Sequence, residues 1–261
     1  MSETWWSELW RYRELLFFFA ARDIKVRYKQ AALGAAWAVV QPLATMLVFT
    51  IFFGRIARIP SNGLPYPLFS FCGLAAWLYF ASTVAYASNS LVSNSSMITK
   101  VYFPRVYLPT SSALGCLMDL AISGAVLAAM MIYYGVAPTP FVLLVPLLVV
   151  IMILLALGVG FVLAALNVRF RDVKHVVPFG LQLWLFATPI IYPLSYLPTE
   201  AQRLSMLNPM TGIVENLRAA VLGGGEFNWQ AMGISAAISI AVFCVGLVYF
   251  RKVERNFADV V

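Results

Sequence analysis

The sequence predicts an all-α, polytopic membrane protein with six transmembrane helices. Three observations predict it: 62% of the 261 residues are hydrophobic, only 11% are charged, and the charges sit at the ends of long charge-free runs. A soluble domain carries about 45–50% apolar and about 25% charged residues. A core able to bury so much apolar surface would leave too little polar surface to face water.

Residues 1–30 predict a cytoplasmic amphipathic interface helix ending in a basic segment. Trp5, Leu9, Tyr12, Leu16 and Phe19 recur at steps of 4, 3, 4 and 3, with Glu8, Arg11 and Glu14 largely off that stripe. Such a face lies in the headgroup plane or packs on a soluble partner, and both readings stay open. The basic run from Arg22 to Lys29 suits anionic lipid heads. Glu3 and Glu8 ahead of the short apolar run Leu15 to Ala21 do not have the form of a cleaved leader.

Residues 31–261 predict one transmembrane domain. A span needs about 20 mostly apolar residues, because its backbone must be satisfied internally. The charge-free runs place spans at about 33–54, 68–91, 107–134, 142–166, 176–197 and 229–250. Gly135, Pro138 and Pro140 break the third from the fourth. An even count puts both termini on one side. Fourteen of the 18 Lys and Arg residues fall on the terminal side, and Arg55, Arg58, Arg203 and Arg218 on the other. The positive-inside bias therefore expects cytoplasmic termini.

Residues 198–225 predict two short helices on the outer face between spans 5 and 6. Thr199 and Glu200 start one, Asn208-Pro209 breaks it, and Gly223-Gly224-Gly225 ends the second. Two readings remain: a re-entrant pair forming an outer gate, or surface helices on an external loop. Asp119 falls about 12 residues into span three, ~18 Å of rise and near the midplane. A carboxylate there marks a functional or pairing site, or stays protonated and bonds a neighbouring helix. Small residues at Leu157-Gly158-Val159-Gly160 and Ser123-Gly124-Ala125 permit close helix approach.

Several chemistries are missing from the sequence. Cys72, Cys116 and Cys244 lie apart in apolar runs, and His175 is the only histidine, so no metal-ligand or disulfide spacing exists. The net charge of +7 is spread beside apolar runs and does not suggest nucleic acid. No G-x-x-x-x-G-K-[ST] occurs, nor any G-x-S-x-G or H-E-x-x-H, so the expectation is a non-enzymatic chain binding no cofactor. Transport against a gradient would then draw its energy from a partner.

Order and spacing of several segments resemble the permeases of type-2 ATP-binding-cassette exporters, and within them the polysaccharide-export branch that handles O-antigen, capsule and teichoic acid. The resemblance runs through Arg22 to Gln30, Leu33-Gly34, Trp37 and Gln41-Pro42. It continues in Lys100-Val101-Tyr102-Phe103-Pro104-Arg105, Asn167 to Asp172, Pro189-Ile190-Ile191-Tyr192 and Asn208-Pro209-Met210. It implies a homodimer in a bacterial inner membrane, joined to two ATPase subunits that bind ATP and Mg. The substrate it implies is a lipid-linked polysaccharide. Lys100, Tyr102, Phe103 and Arg105 would then couple to the ATPase, and Asn208, Pro209, Glu215 and Arg218 would belong to the outer gate. Sugar rings stack on aromatics, so Trp77, Tyr79 and Phe80 (with Tyr86) and Trp184, Phe186, Tyr192 and Tyr196 are candidates for the substrate path. Rival readings are an exporter of small molecules, drugs or lipids, a lipid-modifying enzyme, and a passive scaffold or channel.

Overall fold

A computed structural model of the chain describes Ser7, residues 10–29, 36–170 and 172–254. All regular structure among them is helical. The helices are α1 (Arg13–Lys29), α2 (Ala36–Phe49, continued by a π-helical turn at Thr50–Ile56), α3 (Tyr66–Ser93), the single turn α4 (Ser95–Ile98) and α5 (Tyr107–Tyr134). A 3₁₀ turn at Pro140–Leu144 leads into α6 (Val145–Arg169), followed by α7 (Val173–Ala187), α8 (Thr199–Met206), α9 (Pro209–Leu222) and α10 (Trp229–Glu254).

The buried axis is α3. Leu68, Cys72, Ala76, Phe80, Val84, Ala87 and Leu91 have no exposure and recur every three or four residues, so one face is sealed over the helix length. Helix α6 lies against it, with Gly160 approaching Ala87 and the Asn167 amide donating to the Ser88 carbonyl at 2.9 Å. On its other side α6 crosses α10 at Gly158 and Gly246. A Cβ on Gly158 would lie 2.6 Å from the backbone nitrogen of Phe243, so only glycine lets the two backbones meet.

Helix α1 and the last turn of α10 meet at one end of this bundle. At that basic end, Phe19 of α1 packs on Phe103, and the Arg105 backbone N–H donates to the Glu254 carboxylate at 3.1 Å. At the far end, Thr139 donates its hydroxyl to the Ala220 carbonyl at 2.7 Å, and Phe141 stacks on Phe227 at 5.2 Å.

Among the described residues, five helices are long and apolar enough to cross a membrane: Ala36–Ile56, Tyr66–Ser93, Tyr107–Tyr134, Pro140–Arg169 and Trp229–Glu254. The expected fifth span over 176–197 is not one such helix. α7 has 15 residues, ~22 Å of rise, and stops at Ala187. The cause is Pro189. A residue before proline is driven out of the helical region, and Thr188 is extended at φ −105°, ψ 137°. The next eleven residues, 188–198, are loop with one 3₁₀ turn at Leu194–Tyr196.

Candidate functional site

The far end is organised by Arg218. It is 4% exposed, and its guanidinium lies 3.7 Å from the centre of the Phe69 ring. It donates to the carbonyls of Phe69 (3.2 Å), Pro189 (2.7 Å) and Ile190 (2.6 Å), and to the Glu215 carboxylate (3.0 Å). The planar fork of arginine serves several fixed acceptors at once, so one side chain ties α3, α9 and the segment after α7 together. Gly73 makes room for it, since a Cβ there would sit 2.5 Å from the guanidinium. Burial raises the Glu215 carboxyl above its ordinary value, and Arg218 opposes that shift.

Asn208 builds the start of α9. Its Oδ1 accepts from the Met210 backbone at 3.1 Å and from the Trp184 indole at 2.9 Å, and its amide donates to the Thr188 hydroxyl at 2.9 Å. Asparagine as N-cap with Pro209 in the first turn is a strong helix start. Gly223, left-handed at φ 70°, closes the helix. The two short helices are unequal. α9 buries Met210, Thr211, Ile213 and Val214, whereas α8 buries no residue. A 14-residue helix sunk among its neighbours satisfies its backbone inside protein, as short helices at membrane depth must.

Among the eight aromatic path candidates the structure brings three together. Trp184 packs edge-on against Phe80 (5.0 Å) and Trp77 (6.4 Å), joining α7 to α3. Tyr79 is buried on the other side of α3 and donates to the Ala113 carbonyl at 3.3 Å. Phe186 and Tyr196 are 55% and 60% exposed, and half-buried Tyr192 donates to the Phe186 carbonyl at 3.3 Å.

At the basic end, the coupling candidates separate by burial. Phe103 is buried against Phe19 at 5.4 Å, with Ile98, Val106 and Leu108 around it. The Arg105 guanidinium also donates to the Glu254 carbonyl. Lys100 is exposed, and the Tyr102 ring is 76% exposed. Buried Phe103 and clamped Arg105 thus hold the segment that displays Lys100 and Tyr102. On α1, Tyr12, Leu16 and Phe19 of the expected stripe cover this segment, while Trp10, Phe17 and Phe18 face outward. Trp5 and Leu9 lie outside the described residues, as do Gln30, Leu33, Gly34 and Arg171.

Asp119, expected to be a functional or pairing site or to bond a neighbouring helix, has two partners. Arg27 pairs with its Oδ2 and the Tyr28 hydroxyl donates to its Oδ1. The Arg27 guanidinium also lies 4.4 Å from the Tyr86 ring centre, and Ser111 donates to Asp23 at 3.0 Å. α1 therefore runs along α5 instead of lying flat apart from it. Burial raises the Tyr28 phenol, and the carboxylate beside it adds to the shift. A 28-residue helix is ~42 Å long, ~12 Å more than the hydrocarbon core. Asp119 lies 12 residues, ~18 Å of rise, from the start of that helix at Tyr107. A lone carboxylate in a span calls for a cation, but residue order did not say which one. Nothing in residue order marked Glu254.

The sequence of this chain matches known proteins along most of its length. Residues 14–222 match the ABC-2 type transporter family. The chain belongs to that family. It is 33% identical over 254 residues to the O-antigen export system permease protein RfbA of Myxococcus xanthus, covering 97% of each chain. An RfbA of Klebsiella pneumoniae is 28% identical over 248 residues, 95% of each chain. The polysialic acid transport protein KpsM of Escherichia coli is 25% identical over 238 residues, 90% of this chain and 91% of that one. As an ABC-2 permease, the chain is a multi-pass membrane transport subunit.

Proposed function

We propose that this permease is the membrane half of an ATP-driven exporter of lipid-linked polysaccharide, carrying an O-antigen-like, capsular or teichoic glycan across a bacterial inner membrane. The observation that carries the reading is the 97% mutual coverage with an O-antigen export permease. A chain without a nucleotide-binding loop must take its driving force from an ATPase subunit, and ATP and Mg belong there. The exposed pair Lys100 and Tyr102 is the contact offered to that subunit. In this reading α7 and its extended continuation add a fifth crossing to the five long helices, six in all. Both termini then lie in the cytoplasm, on the side rich in Lys and Arg.

A homodimer completes the channel. Val176, Phe179, Leu183 and Phe186 on α7 form an exposed apolar stripe at 3, 4 and 3 residue steps, facing away from this bundle. Phe186 on that stripe, Tyr192 bonded to its carbonyl and exposed Tyr196 are the aromatics offered to a sugar chain. Trp77, Phe80 and Trp184 brace the wall behind them. The Arg218 and Asn208 bonds hold α9 as a fixed sill at the outer mouth, against which the opposing copy moves.

The test is co-expression with the ATPase subunit of the same transporter. Stable co-purification and ATP hydrolysis that depends on this chain are expected. Lipid modification by the isolated permease, without any ATPase, would overturn the reading.

A further inference from the structure

A crevice of about 470 Å³ lies between α3, α5, α6 and α9 at the far-end half of the bundle. Cys72 and Ala75 form its floor, Leu127 and Met131 one wall, Leu148 and Met152 another, and Ile213 and Leu217 of α9 the third. The gap has a cause in the sequence. Gly124 and Ala128, one turn apart on α5, line it without filling it, and a Cβ on Gly124 would meet nothing within 4 Å. The close approach expected at Gly124 is therefore not made, in contrast to Gly158.

No charged side chain lines this space. Water or a sugar chain would find no hydrogen-bonding partners inside it. Its mouth passes between Ile132 (84% exposed) and Val142, continuous with the apolar outer surface of α5 and the Pro140–Leu144 turn. That surface belongs to membrane-spanning segments, so the medium at the mouth is bilayer hydrocarbon. At ~30 Å³ per water-sized group the crevice holds about fifteen such groups, the size of one fatty acyl chain.

We propose that the crevice binds one acyl chain of a bilayer phospholipid, which fills the gap between α5 and α6 and braces α9 from behind. The occupant is a bilayer lipid because the mouth faces outward through α5 and the Pro140–Leu144 turn, whereas the exposed α7 stripe lies on a different helix. The proposal rests on membrane embedding and on the dimer contact proposed at α7, and does not depend on the polysaccharide reading.

The test uses the full chain in nanodiscs of phosphatidylethanolamine and phosphatidylglycerol doped with a phospholipid bearing a diazirine on its acyl chain. After photolysis, adducts are mapped by mass spectrometry. Labelling at Leu127, Met131 and Met152 is expected to exceed that at exposed Val245 and Val248 of α10 at least tenfold. Ala128→Trp, and separately Gly124→Leu, should cut crevice labelling at least fivefold while leaving α10 labelling unchanged. Equal labelling of the two faces in the unmutated chain overturns the proposal. So does crevice labelling that both substitutions spare, or labelling displaced by a low mole fraction of polyprenyl phosphate, which would assign the space to the carrier lipid.

Discussion

The two ends of the bundle hold their irregular segments by different physics. At the far end a single buried guanidinium satisfies three backbone carbonyls and a carboxylate, and an asparagine joins the next turn to a tryptophan. At the basic end the loop before α5 rests on ring packing, Phe103 on Phe19, with one charged clamp to Glu254. A polar network in a low-dielectric site is all-or-none, because each member left unpaired is costly. Ring packing yields gradually. The far end is therefore built to stay shut as a unit, and the basic end to shift under load while presenting Lys100 and Tyr102.

The largest effect should come from breaking the polar end. Arg218→Met leaves Glu215 buried without its partner, and losing one member of a buried pair costs about 3–5 kcal/mol. Thermal unfolding in detergent should show that loss, and Arg218→Lys should not restore it, because an ammonium cannot span three separate carbonyls. If lysine restores full stability, the comparison fails at its stronger term.

Phe103→Ala tests the other end. Truncating a buried phenylalanine costs about 3–5 kcal/mol when a cavity remains, but this one borders a loop and α1, which can close in. We expect the lower bound or less in unfolding, together with a loss of permease-stimulated ATP hydrolysis. A stability loss equal to that of Arg218→Met would erase the distinction between the ends.

Asp119→Asn sharpens it further. The amide keeps a bond to Tyr28 but loses the charge on Arg27, worth about 1.5–3 kcal/mol for a hydrogen bond to a charged group. A double-mutant cycle with Arg27→Gln should recover most of that as coupling energy, and a coupling near zero would mean the pair contributes nothing. The smallest structural effect belongs to Tyr102→Ala. Its exposed ring should leave stability within about ±0.5 kcal/mol while ATPase stimulation falls at least fivefold. An unchanged rate would remove Tyr102 from the contact.

Much of this was legible in residue order. Charge-free runs located the long helices to within a few residues, since span length is fixed by the bilayer and not by neighbours. Asn208, Pro209 and Gly223 marked α9 because caps are local chemistry. The end of α7 is not legible in the apolar run 176–197, because such a run reads the same whether helical or extended, and Pro189 alone marks the stop. Glycines show the limit most clearly: Gly158 and Gly124 sit in similar small-residue contexts, yet one touches a neighbouring backbone and the other faces open space. Which occurs depends on where α5 and α10 lie, and that is tertiary information. The Arg105–Glu254 and Arg27–Asp119 partners span 149 and 92 residues, beyond any local pattern.

The most direct measurement is glycan translocation in sealed proteoliposomes with the permease oriented cytoplasmic side out. With ATPase subunit, ATP and a fluorescent lipid-linked oligosaccharide present, the label should become protected inside the vesicles, and omitting either protein or ATP should abolish protection. Protection by the permease alone, or none with every component supplied, would contradict the account.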